Sequence, residues 1–180
     1  MVSDSVTICF GYNDSIIIGD LVLGLEAVLR NLSYVWSTFI KNGYTVRGSI
    51  EFGDIYWDER DIIGPAFINA YHLESEVSRI SRIVVSSNLN KVLTDLVRKH
   101  KSPLIDHLLQ NFRKDIDGYI IVDPQILYRS DQERGFLIDS LKKMRDAAPS
   151  GIVKEKYTPL INIMSSIAKP DLKEEDLGNY

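Results

Sequence analysis

Asp4, Asp14, Glu51, Asp54, Asp58, Glu59 and Asp61 stand beside strand-like or turn-like stretches in the first third of the chain. Carboxylates carried at strand ends can hold Mg²⁺ and orient a triphosphate. An aspartate in a β-turn more commonly serves the turn itself. The three histidines are His72, His100 and His107. The last two lie in a charged segment and read as solvated. The chain lacks GxxxxGK[ST], GxGxxG after a strand, HExxH and a serine nucleophile elbow. Its single cysteine, Cys9, sits in an apolar run and reads as a small buried hydrophobe. One cysteine permits neither an intrachain disulfide nor a cysteine-pair zinc site, which fits a reducing compartment.

These groups must be positioned by a recognisable series of elements. Val2–Phe10 alternates as a strand, Gly11–Asp14 forms a turn, and Ser15–Ile18 pairs back. Asp20 caps a long helix in which Leu21, Leu25, Leu29, Leu32, Trp36 and Ile40 recur at helical spacing; Asn42–Gly43 ends it. Tyr44–Phe52 is the next strand, continued by Ile55–Trp57. Asp58–Asp61 is a hairpin tip, Ile62–Ile63 returns, and Gly64–Pro65 launches a helix with Ala66, Phe67, Ala70, Leu73 and Val77 inward. Arg82–Val85 is a buried strand, and Ser86–Asn88 caps a further helix. Pro103–Phe112 is a short helix, Asp117–Gly118 a turn and Tyr119–Val122 a strand. Asp131–Arg145 is helical with Phe136, Leu137, Leu141 and Met144 inward. Ala148–Gly151 breaks the chain, and a last helix runs over Tyr157–Ala168. Hairpins separated by helices predict an α+β fold with a mainly antiparallel sheet and helices packed on it.

With 180 residues, one domain over 1–168 is expected, followed by a flexible charged tail over 169–180. A net charge of −4 disfavours a protein held to nucleic acid by bulk charge. It leaves room for a nucleotide pocket served by a few local cations or a metal. No signal peptide and no apolar run of membrane-spanning length is read, so a cytoplasmic location is expected.

The stretch Arg47-Gly48-Ser49-Ile50-Glu51-Phe52-Gly53, followed by Asp61 to Glu74 (DIIGPAFINAYHLE), resembles the RxGIxxG and DxWGxxVNxAxRLE motifs of class III nucleotidyl cyclase catalytic domains. The wording RGSI…GPAFINAYHLES…SRIVVS resembles a divergent bacterial group of that family still more closely, and the likeness spans most of residues 1–86. It implies a palm, ferredoxin-like sheet and a homodimer with a nucleoside triphosphate site. It assigns Asp4 to Mg²⁺ or Mn²⁺, Asp61 to the base, and Arg47, Gly48 and Gly64 to the nucleotide-binding frame. The family's transition-state asparagine and arginine positions fall on Ile68 and His72. Isoleucine donates no hydrogen bond, and histidine replaces arginine only in part. The resemblance also places a first metal aspartate on a strand upstream of Met1, as though the chain were truncated. The reading ranked first is therefore a degenerate cyclase-like domain that binds a nucleotide or a protein partner in bacterial signalling or defence. An active metal-dependent cyclase is the alternative, and a truncated remnant the third.

Overall fold

The apolar stripe that begins at Leu21 folds as α1 (Ile18–Lys41), burying Val22, Leu25, Leu29, Trp36 and Ile40. The helix begins two residues before Asp20, so that carboxylate sits in the first turn, where it complements the helix dipole, and is not the cap. Gly43, at φ +84°, closes the C-terminus and donates its N–H to the Ile40 carbonyl at 3.1 Å. In this computed structural model the described residues are 7, 9, 11, 18–166, 172 and 174–177. Most of the strand expected over 2–10, and residues 15–17 of its hairpin partner, lie outside them. Ile18 itself opens α1 and is not in a strand.

The elements that follow are β1 (Gly48–Ile50), β2 (Tyr56–Trp57), β3 (Ile62–Ile63), α2 (Pro65–Glu76) and β4 (Ile83–Val85). Next come α3 (Ser87–Lys99), α4 (Pro103–Leu109), β5 (Phe112–Lys114) and β6 (Ile120–Val122). The chain then forms α5 (Asp131–Ala147), α6 (Gly151–Glu155) and α7 (Thr158–Ser165). Four strands form one mixed sheet in the order β1-β4-β6-β5, with β1 parallel to β4 and the other pairings antiparallel. β2 and β3 form a separate antiparallel hairpin. The fold is α+β, with helices packed on the sheet.

Strand alternation divides the sheet into two faces. Ile83, Val85, Phe112, Ile120 and Val122 join the main core with Trp36, Leu137, Leu141 and Leu160. Val84 and Ile121 pair across β4 and β6 on the opposite face and are also fully buried. Ser49 shares that second face, and its hydroxyl donates to the Ala70 carbonyl at 2.7 Å. That bond fastens α2 to β1.

Several local expectations are corrected. The long strand over 44–57 is a three-residue strand followed by a detached hairpin. Phe112 does not end α4; it begins β5, where it is fully buried. Phe136 is 55% exposed because Leu137 and Leu141 already define the inward stripe of α5. The break expected over Ala148–Gly151 is present over 148–150, but Gly151 itself starts α6 behind the Ser150 cap. The face of α2 expected to point inward is the less exposed one, but it is shallow: Ala66 is buried, and Phe67, Ala70, Leu73 and the C-cap residue Val77 are half-buried. Within the stretch expected to be a flexible tail, Leu177 is 3% exposed, and Glu174 and Asp176 pair with Arg98 and Lys114. Among the described residues, no helix is long and apolar enough to cross a membrane.

Candidate functional site

Three element ends converge beyond the C-terminal end of β1. Gly64 precedes α2 at φ 139° and ψ 164°, a conformation that L side chains rarely adopt. A Cβ there would stand 2.7 Å from the Asp54 carbonyl oxygen and 3.0 Å from the Ile55 Cα. Glycine is therefore required on two counts, conformation and space. The close approach lets Ala66 N–H donate to the Asp54 carbonyl at 3.2 Å. Pro65 then fills the first turn of α2, where no N–H is needed.

The start of α3 is fixed to the same loop. Ser86 N–H donates to the Ile50 carbonyl at 2.9 Å, and Ser86 Oγ accepts from Leu89 N–H at 3.1 Å as the N-cap. Glu51 Oε1 accepts from Ser86 Oγ at 2.8 Å and from Phe52 N–H at 2.7 Å. One carboxylate thus ties the end of β1 to the cap of α3.

Between these ends lies an open depression of about 390 Å³. Phe52, Gly53 and Asp54 line it from the loop, Pro65, Ala66 and Asn69 from α2, and Asn88 and Lys91 from α3. Two helix N-termini border it; the α3 end favours negative charge, whereas at the α2 end Pro65 has no N–H and the Ala66 N–H is taken by the Asp54 carbonyl. Lys91 adds a full positive charge and Asp54 a negative one. Neither is within ion-pair distance of an opposite charge among the described residues. Two amides, an ammonium, a carboxylate and one aromatic wall can bind a polar, charged small molecule.

Of the residues singled out from the sequence, Asp54 lines this depression and Gly64 stands beside it, immediately before Pro65. Arg47 lies at the opposite end of β1, with Nε 2.6 Å from Glu74 Oε1. Gly48 sits at that end too, where its N–H donates to the Arg82 carbonyl and a Cβ would press on Ile83 Cδ1 at 3.1 Å. Asp61 is exposed at the hairpin tip; its N–H donates to Asp58 Oδ1 at 2.9 Å. His72 is exposed on α2, with Nδ1 3.3 Å from Glu76 Oε1 and its ring edge-on to Tyr71. Asp4 lies outside the described residues. Sequence reasoning passed over Asn88 and Lys91 as parts of a site. Asn69, one residue beyond the family's asparagine position at Ile68, lines the depression, whereas Ile68 is 53% exposed. The one available signal was the Ser86–Asn88 cap, which had to start a helix at the end of a buried strand.

A second polar cluster is structural. Arg82 is buried and its guanidinium pairs with Asp115 and, at 2.7 Å, with Asp117; it also donates to the Val77 carbonyl at 3.0 Å. Burial works against its charge, but the hydrogen bonds to Asp117 and Asp115 outweigh burial and hold its pKa above the usual arginine range. Three partners occupy this guanidinium, so the cluster clamps the β5–β6 turn to β4.

Among the described residues, no group of three histidine, cysteine, aspartate or glutamate side chains could hold a metal ion. No family model, no curated protein and no solved structure matches this chain.

Proposed function

We propose that this chain is a cyclase-like domain that has kept nucleotide binding and lost efficient turnover, acting in bacterial signalling or defence in the cytoplasm. The carrying observation is the depression at the end of β1, where Lys91, Asn69, Asn88 and the N-terminus of α3 offer donors to phosphate. The RGSI and GPAF motifs lie on the elements that frame it. Mg²⁺ or Mn²⁺ enters with the triphosphate in this reading. The described residues supply one carboxylate there, Asp54, which falls short of a two-metal site. Asp4 is the ligand that the resemblance adds.

Loss of turnover follows from the side chains. Cyclisation needs donors for the charge that develops on the transferring phosphoryl group. Ile68 offers none, and losing a single such donor typically costs about 100- to 1,000-fold.

The test is calorimetric titration with each of the four nucleoside triphosphates, with and without Mn²⁺, alongside a product assay for cyclic nucleotides. Binding without product is expected, weakened about tenfold in Lys91→Ala by loss of a charge-assisted contact. Failure of all four nucleotides to bind overturns the reading. Ready formation of a cyclic product overturns the loss of turnover.

A further inference from the structure

We propose that the β2–β3 hairpin and the outer face of α2 form a docking surface for a cationic amphipathic segment of a partner protein. This surface is separate from the depression and does not depend on the nucleotide reading.

Large apolar side chains are left uncovered here in unusual density. Tyr56 is 60% exposed, Ile63 58%, Ile68 53% and Tyr71 63%. Tyr56 and Ile63 are direct cross-strand partners, so their side chains share one face of the hairpin. Ile68 and Tyr71 are three apart on α2 and neighbour one another on its surface. Ile68 N–H bonds to the Gly64 carbonyl at 3.2 Å, which keeps Ile68 one turn from the end of β3. Exposed tyrosines and isoleucines gathered this way are typical of interface anchors and uncommon on free surfaces.

Charge identifies the occupant. From Tyr56, where β2 begins, to Glu76, where α2 ends, the chain carries Asp58, Glu59, Asp61, Glu74 and Glu76 against Arg60 alone. That is a formal −4, equal to the net charge of the whole chain, so the remainder is formally neutral. Asp58 directly adjoins the apolar groups, since the Tyr56 hydroxyl donates to its Oδ2 at 3.2 Å; Glu74 is paired with Arg47, so the acidic rim rests on Asp58, Glu59, Asp61 and Glu76. An apolar strip with an acidic rim complements a helix carrying leucines on one side and lysines or arginines on the flanks. A second copy of this chain would bring the same acidic surface to an already acidic one.

The probe is a synthetic leucine–lysine amphipathic helical peptide, titrated into the full chain, with a leucine–glutamate peptide as control. Saturable one-to-one binding of the lysine peptide alone is expected. It should weaken about tenfold in Ile68→Asp and in Tyr71→Asp, as for loss of an interface anchor. It should weaken measurably in Glu59→Gln/Asp61→Asn and with added salt. All these positions are exposed, and circular dichroism verifies that each variant remains folded. Equal binding by wild type and variants overturns the proposal, because the peptide would then be reading net charge alone. A concentration-dependent dimer in sedimentation, abolished by Ile68→Asp, also overturns it and gives the surface to a second copy.

Discussion

Glu51 and Ser86 share a hydrogen bond of 2.8 Å in which the serine that caps α3 donates to the carboxylate leaving β1. Removing either group frees one wall of the depression from the other. Glu51→Ala and Ser86→Ala should each cost about 1–2 kcal/mol of stability. The double variant should cost less than their sum, since both remove the same bond. Glu51→Gln keeps an acceptor and should recover most of the loss. Urea unfolding of the wild type and the four variants measures this; strict additivity would refute the coupling.

Arg82 should be among the costliest single positions. Its side chain and that of Asp115 are each 8% exposed. Arg82→Met leaves the Asp115 carboxylate buried without its cation, for a loss of about 3–5 kcal/mol. Arg82→Lys keeps the charge but lacks the fork that reaches Asp115, Asp117 and the Val77 carbonyl together, so it should fall between. Denaturant midpoints test both, and a loss under about 1 kcal/mol in Arg82→Met would rule out the clamp.

The hairpin tip should respond to acid through Asp58. Hydrogen bonds from Arg60 N–H and Asp61 N–H, helped by the Tyr56 hydroxyl, hold its carboxyl below the usual aspartate range against slight desolvation. A depressed folded pKa means the folded hairpin favours the ionised form. Its contribution is fully present above the unfolded value, near 3.9, and is lost as pH falls through the lower folded value. NMR titration of the Arg60 and Asp61 amides should give a midpoint below 3.9. Asp58→Asn should remove the transition.

Local signals in the sequence found the local elements. The stripe through α1, the turn at Gly43, the hairpin tip at Asp58–Asp61 and the launch of α2 at Gly64–Pro65 all depend on residues adjacent in the chain. Phe112 misled as to its element, since a buried aromatic fits the end of a helix as well as the start of a strand, and Phe136 misled as to its direction. Phe136 stays exposed because α5 fills its inward stripe with Leu137 and Leu141. Arg82 looked like the polar start of a strand; only the return of the chain at Asp115–Asp117 gives it partners. The depression was hidden for the same reason. Asp54, Asn69 and Lys91 sit on three elements brought together by strand pairing and by the glycine at position 64.

The sheet order has a kinetic side. β4 lies between β1 and β6, and both partners are more than thirty residues away along the chain, in opposite directions. The β5–β6 hairpin, by contrast, closes through a short turn. Loop closure must be completed before distant pairings contribute, so the central strand joins late and the outer hairpin early. Until β1 arrives, the Ile83-Val84-Val85 edge stands open to other chains. The crossover through Gly64 and α2 therefore governs the interval in which a nascent chain is vulnerable to aggregation, as well as the shape it finally adopts.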